Sequence, residues 1–209
     1  MLNDNISEFL TATKLIEADN PAIAATAIEI TQGAISDIAR AKQLFYFIRD
    51  GIRYQFLPIL DEMHLRASSI LAKRGGYCTQ KAILFCAMAR SLDIPAGIHF
   101  YDIIDHSLPP KSREILGTNV LYRHGVATLR LNDHWIILDA TLDARLCERN
   151  GLKTVEFNSD RDCLLHHDTL SGTRHIDYQN DYGLVSDVAF SDILSWFKAG
   201  YPHLVEHLI

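Results

Sequence analysis

The stretch Gly75-Gly76-Tyr77-Cys78-Thr79-Gln80-Lys81-Ala82-Ile83-Leu84-Phe85-Cys86-Ala87-Met88-Ala89-Arg90 decides the fold. Residues 82–89 are all apolar, so a helix here has no polar stripe and belongs at the centre of the molecule. The glycine pair breaks a short helix expected over 67–73, and Asp93-Ile94-Pro95 ends the central one. Glycine also allows a tight turn and lets a substrate approach the backbone. Cys78 thus falls at a helix start, where free N–H groups and a partial positive charge lower a thiol pKa. Its own N–H can donate to an oxyanion.

Upstream of this helix the chain reads as helical. Asn20-Pro21 is a helix start with proline at the first helical position, and Gly33 is a stop. A second helix begins near Ser36 and ends before Gly51, with Ile38, Ala41, Phe45 and Ile48 at helical spacing. Downstream, Ala96 to Tyr101 reads as a strand. Pro109-Pro110 and several charges mark 102–118 as an exposed loop. Residues 120–131 and 134–141 read as two strands around the turn Asn132-Asp133. After Asp143 the pattern predicts a short helix to about Arg149, a strand near 152–157 and an irregular stretch to about 185. A last helix follows over 188–199, with Phe190, Ile193, Leu194 and Phe197 on one face. Helices first and an antiparallel sheet afterwards define the α+β class. Without repeats or a linker, one domain over 1–209 is expected, with a core at about 36–145 and a C-terminal extension at about 146–209.

The 209 residues suffice to bury a real core. Apolar residues make up 48% and charged residues 22%, as in ordinary globular proteins. The net charge of −6 argues against nucleic acid or an anionic membrane as partner. No run of 18 apolar residues predicts a membrane span, and Met1-Leu2-Asn3-Asp4-Asn5 lacks the layout of a signal peptide. A cytoplasmic location is the expectation. Four cysteines, at 78, 86, 147 and 163, then read as free thiols in a reducing compartment. Cys86 sits two turns inside the apolar helix and reads as core. Cys163-Leu164-Leu165-His166-His167 resembles half a zinc site, but no second half stands at usable spacing, so neither metal nor cofactor is expected.

A thiolate nucleophile needs an imidazole, and the imidazole needs a partner that sets its tautomer. Geometry selects among the ten histidines. With a two-residue turn at Asn132-Asp133, Leu131 pairs with His134 and Val126 falls opposite Asp139. His124 then shares a face with Asp139 as its diagonal neighbour, at ~7–8 Å along the backbone. A four-residue turn keeps this register; a three-residue turn puts the two on opposite faces. Asp139 follows the apolar run Trp135-Ile136-Ile137-Leu138, where an unpaired buried acid is costly. The plain alternative is a strand-ending acid in the turn Asp139-Ala140-Thr141-Leu142-Asp143.

Cys78, His124 and Asp139 occur in that order, and their surroundings resemble the transglutaminase-like superfamily of papain-type cysteine enzymes. Gly76-Tyr77-Cys78, continuing through Met88-Ala89-Arg90-Ser91-Leu92-Asp93-Ile94-Pro95-Ala96, is similar to its nucleophile helix and following strand, with Asp93 where the family usually has glycine. His124-Gly125-Val126-Ala127 is similar to its histidine strand. Trp135 to Thr141 is similar to its acid strand, with Ala140 replacing a frequent proline. The approach from Phe45 to Tyr54 also resembles bacterial members, and the likeness covers about residues 40–145.

The resemblance implies a nucleophile helix packed on an antiparallel sheet. It gives Cys78 as nucleophile, His124 as base and then acid, and Asp139 as orienter. The chemistry implied is acyl transfer through a thioester. A side chain upstream would share the oxyanion with the Cys78 N–H; Tyr54 is the first candidate and Tyr77 the second, and both also read as packing tyrosines. A peptide or amide-containing substrate, hydrolysed by water, is the expected partner. Transfer to an amine, as in a transglutaminase, is the alternative, and a non-enzymatic module on the same fold is a third. No D-x-[DN]-x-[DN]-G loop supports a calcium-dependent enzyme. No G-x-S-x-G, H-E-x-x-H, G-x-G-x-x-G or P-loop motif supports the most readable other classes.

Overall fold

A computed structural model describes residues 6–55 and 61–205; the reading of Met1–Asn5 lies outside them. After a 3₁₀ turn at Ile6–Phe9 come helices α1 (Pro21–Ile30) and α2 (Asp37–Tyr46), the latter running into a π-helical turn, Phe47–Gly51. A two-residue strand β1 (Arg53–Tyr54) precedes α3 (Glu62–Leu65), α4 (Ala67–Lys73), β2 (Gly75–Gly76) and α5 (Cys78–Arg90). Then follow β3 (Ala96–Asp105), α6 (Pro110–Leu116), β4 (Val120–Leu131), β5 (His134–Leu138), α7 (Ala144–Arg149), β6 (Ile176–Val185), α8 (Phe190–Gly200) and α9 (Pro202–Val205).

Local chemistry explains the helix starts. The Asn20 side chain accepts the Ala22 N–H at 2.9 Å, with Pro21 as first helical residue of α1. Ser36 accepts the Ala39 N–H at 3.2 Å and starts α2. Ala41, Phe45 and Ile48 are fully buried against the core. Every residue of α5 is buried, including Gln80, Lys81 and Arg90. This helix lies on β3 and β4 of an antiparallel sheet ordered β5-β4-β3-β6, with α1, α2 and α4 packed around it. The molecule is α+β, with helices packed on one antiparallel sheet. No described helix is long and apolar enough to cross a membrane.

Several expectations are corrected. α4 ends on Arg74, whose φ of 55° supplies the left-handed turn, not on the glycines. Gly75 and Gly76 instead pair in parallel with Arg53 and Tyr54. A Cβ at Gly75 would fall 2.7 Å from the Gln55 side chain, so this glycine permits close approach. Asp93 takes φ 61°, a conformation aspartate tolerates, which accounts for its standing at a glycine position.

The stretch 102–118 is not simply an exposed loop. β3 runs on to Asp105, α6 forms, and Leu108 and Leu116 are buried with Tyr201 and Leu204. β5 stops at Leu138, before the expected end at 141, because Asp139 turns its N–H to the Cys163 carbonyl at 2.8 Å. Residues 152–157 form no strand, whereas 176–185, expected to be irregular, form β6. β6 is an edge strand with only Ile176 fully buried, so it lacks the apolar alternation that marks a strand in sequence. Residues past 146 thus supply a sheet edge, and α8 sets Trp196 against Phe100, ring centroids 4.9 Å apart.

Candidate active site

Cys78 is the first residue of α5, so its N–H has no intrahelical acceptor. Gln80 shapes this entry: its Oε1 accepts the Tyr77 N–H at 3.1 Å and its Nε2 donates to the His64 carbonyl at 2.7 Å. β2, joined to β1, brings Tyr54 beside the helix start. The Cys78 side chain is nearly enclosed, with 9% of the residue exposed.

β4 delivers His124 opposite Tyr101 of β3. A bulge precedes it, where Asp102 alone faces Tyr122 and Arg123, and Arg123 has φ 54°. Asp102 organises the bulge. One oxygen accepts the Arg123 N–H at 2.9 Å; the other accepts from Tyr182 at 2.7 Å and Asn180 at 3.0 Å. The Arg123 guanidinium lies 3.2 Å above the Tyr182 ring centroid. Sequence reading placed Asp102 in a loop and missed this support for His124.

The β4–β5 register is the one a two-residue turn predicts: Leu131 pairs with His134 and Ala127 with Leu138. Asn132 and Asp133 both take positive φ, 48° and 65°. His124 Nε2 and Asp139 Oδ2 lie 2.8 Å apart, both residues 1% exposed. The other Asp139 oxygen accepts the Thr141 N–H at 3.0 Å. Asp139 is further held through Cys163, whose N–H donates to Ile137 O at 2.7 Å in a parallel bridge with β5. Cys163 therefore contributes backbone support here. Among the described residues no cluster of three or more His, Cys, Asp or Glu can hold a metal.

With Nε2 donating to Asp139, the second ring nitrogen, Nδ1, has no hydrogen-bond partner among the described residues, and His124 acts on Cys78 through its charge. Burial alone raises the thiol pKa. The His124 charge, the Gly125 N–H and the Thr79 hydroxyl outweigh it, and the net shift is downward. Burial disfavours charged His124, but Asp139 and Cys78 together raise it well above an ordinary imidazole. Asp139 is lowered: His124 and the Thr141 hydrogen bonds overcome the cost of burial. Cys78 is thus shifted toward the thiolate and His124 toward the imidazolium, beside a carboxylate held in its charged form. Sequence reading missed Gly125 and Thr79 as contributors. A Cβ at Gly125 would sit 2.9 Å from Thr79 Oγ1 and from Phe100, so glycine is what lets α5 approach β4 so closely.

Tyr54 and Tyr77 both come near Cys78. Together with Tyr122, Arg123 and Tyr201 they line a narrow cavity of about 40 Å³ beside the thiol. Tyr77 packs edge-on against Phe197, centroids 5.9 Å apart. Tyr54 also lines a larger cavity, about 170 Å³, on the His124 side. Its N–H donates to Asp143 at 3.3 Å.

The family model of the transglutaminase-like superfamily matches residues 24–140. The chain belongs to the transglutaminase-like superfamily. A search of curated proteins gave no match. Among solved structures it is similar to a candidate cysteine protease from Cytophaga hutchinsonii, with 19% identity and a TM-score of 0.53, which shows the shared fold. That alignment covers 85% of this chain and 64% of the other, so this chain spans less than two thirds of its length. A candidate protease from Parabacteroides distasonis aligns at 12% identity and a TM-score of 0.44, over 66% of this chain and 26% of that one.

Proposed function

We propose that this protein is a cysteine-dependent acyl-transfer enzyme that hydrolyses a peptide or related amide, with Cys78 as nucleophile, His124 as proton carrier and Asp139 as orienter. One observation carries the reading: a buried imidazole bonded to a buried carboxylate at 2.8 Å, beside a thiol whose pKa is lowered at a helix start. The protease-like name of the Cytophaga hutchinsonii neighbour agrees with an amide substrate.

In the first half-reaction the thiolate attacks the carbonyl carbon. A C–S bond forms, and the C=O electron pair moves onto oxygen. The Cys78 N–H meets that oxyanion, and the Tyr54 hydroxyl is our choice for the second donor over Tyr77. Collapse breaks the C–N bond as imidazolium His124 gives its proton to the departing amine, leaving a thioester. In the second half, His124 takes a proton from water as the water attacks the thioester carbon. Collapse breaks the C–S bond, releases the acid and restores the thiolate. Asp139 holds the imidazole in one tautomer throughout.

Iodoacetamide labelling, mapped by mass spectrometry, tests the nucleophile. Cys78 reacts fastest, with a pH midpoint below that of a free thiol, and Cys78→Ala abolishes turnover of a peptide library. If Cys78 labels no faster than Cys147 and Cys163, the assignment fails. A labelled amine offered with a glutamine-containing protein separates hydrolysis from transfer; Cys78-dependent incorporation would reassign the enzyme as a transferase.

A further inference from the structure

The larger cavity has a chemical character that the reaction above does not use. Apolar side chains form most of its wall, among them Ile103, Leu108, Leu142, Leu146, Leu152 and Leu165. One carboxylate enters it, that of Asp105 at the end of β3. Oδ1 of Asp105 accepts the Ser107 N–H at 2.8 Å, and the second oxygen has no hydrogen-bond partner among the described residues. The side chain is only 16% exposed.

The charges of His124, His106 and Arg113 act on it through space, yet none of them bonds to it and burial outweighs them. His175 Nε2 lies 3.9 Å from Oδ1, beyond hydrogen-bond reach. His175 is fully buried, and neither ring nitrogen makes a hydrogen bond of normal geometry. Burial pushes it toward the neutral form. His106 is committed to Asp177 at 2.8 Å. Burial also pushes the Asp105 carboxyl up, the signature of an under-compensated charge. A lone carboxylate in an apolar wall is costly unless a cation meets it.

His124 lines this cavity and Cys78 does not; Cys78 lines the narrow one. A proton carrier must touch the nitrogen it protonates, so the amine half of an amide substrate lies on the His124 side. We propose that this cavity seats the amine half of the substrate, and that Asp105 selects an amine component whose aliphatic chain carries a second, cationic amino group. A lysine-like or diamine portion fits that chemistry: methylenes against leucine and isoleucine, an ammonium at Asp105. The assignment of the amine half rests on the acyl-transfer reading above; the cation preference of the cavity does not.

The test is binding to the full chain, measured by calorimetry with cadaverine, n-pentylamine and 1-pentanol as probes. Both amines bind the wild type, and 1-pentanol binds about tenfold or more weakly, the usual worth of a charged hydrogen bond. Asp105→Asn removes the preference for amines over the alcohol. Leu146→Trp, on the half-exposed helix α7, fills the cavity and weakens all three probes; it serves if Asp105→Asn does not fold. Equal binding of amine and alcohol, or unchanged cadaverine binding in a folded Asp105→Asn or Leu146→Trp, overturns the proposal. Cys78 labelling is run in parallel on the same protein. A fast Cys78 without amine binding sinks only the cavity assignment. Amine binding with a slow Cys78 sinks the catalytic reading and with it the amine-half role, leaving a cation-binding cavity.

Discussion

Cys78 and Cys86 lie two turns apart on the same buried helix, yet their surroundings push them in opposite directions. Burial raises Cys86 to about 12, and the nearby Arg90 only partly opposes it. The Arg90 guanidinium is itself spent on the carbonyls of Thr11, Ala96 and Ser186. The Cys86 sulfur donates to Gly97 O at 3.1 Å, a contact that favours the neutral thiol. Burial acts on Cys78 too, but that thiol has a cation and two donors beside it and comes down. Cys147 and Cys163 are raised by burial like Cys86. Enclosure is therefore common to all four cysteines, and the partners facing the sulfur make the difference.

The comparison breaks most completely when the cation is removed. In His124→Ala, Cys78 keeps its burial and loses its counter-charge, so it becomes like Cys86. Its iodoacetamide rate at pH 7 is expected to fall on the order of 100-fold, the loss of thiolate when a pKa returns to the ordinary thiol range or above. Cys86 should not change. A fall of less than about threefold would mean that the helix start alone activates the thiol. Gly125→Ala comes next. The new methyl meets Thr79 and Phe100 at 2.9 Å, so α5 must shift from β4 and the Gly125 N–H moves off the thiolate. A roughly tenfold slower Cys78 and a loss of about 1–3 kcal/mol in urea unfolding are expected. Unchanged labelling in a folded variant would remove the Gly125 N–H from the account.

Much of this was legible in residue order. The all-apolar run 82–89 marked the central helix, and Asn132-Asp133 set the hairpin register that puts His124 and Asp139 on one face. Other parts were hidden because their logic is non-local. β6 carries Asp177-Tyr178-Gln179-Asn180-Asp181, whose polarity suits an edge and mimics a loop. Asp102 reads as a charge after an apolar strand; only the fold brings Asn180 and Tyr182 to it. Lys81 looks like a solvated helix position, yet it is 1% exposed. Its Nζ donates to Thr141 O at 2.7 Å and Arg49 O at 3.1 Å, carbonyls 60 and 32 positions away.

Lys81 provides a sharper contrast, because it and His124 are two buried titratable groups that respond oppositely to pH. Burial lowers Lys81 to about 7, against the pull of Asp143, Asp139 and Asp50. Between about 7 and its ordinary value of 10.5, the unfolded chain binds more protons at this site, so its contribution to stability rises with pH. His124 has the reverse sign. Its stabilisation is complete below 6.5 and is lost as pH rises through the folded value, about 10. In Lys81→Met the rising contribution disappears. The stability of wild type relative to Lys81→Met should therefore increase from pH 7 to 10, by up to about 1.4 kcal/mol per pH unit at the steepest point. Denaturant titrations at several pH values measure it, and a flat difference would show that Lys81 stays charged in the fold.

The smallest effect is the most discriminating control. Cys86→Ala removes one sulfur from a fully buried site and should cost about 1 kcal/mol, the lower end for a small core truncation. Cys86→Ser keeps a donor for Gly97 O at the same position, so its cost should be similar, unlike a hydroxyl stranded without an acceptor. In both variants the Cys78 labelling rate and its pH midpoint should stay within a factor of about two of wild type, because none of the groups that lower Cys78 touches Cys86. A Cys78 slowed as far as in Gly125→Ala would mean that activation depends on how the whole helix is seated. The sulfur's immediate partners would then be only part of the cause.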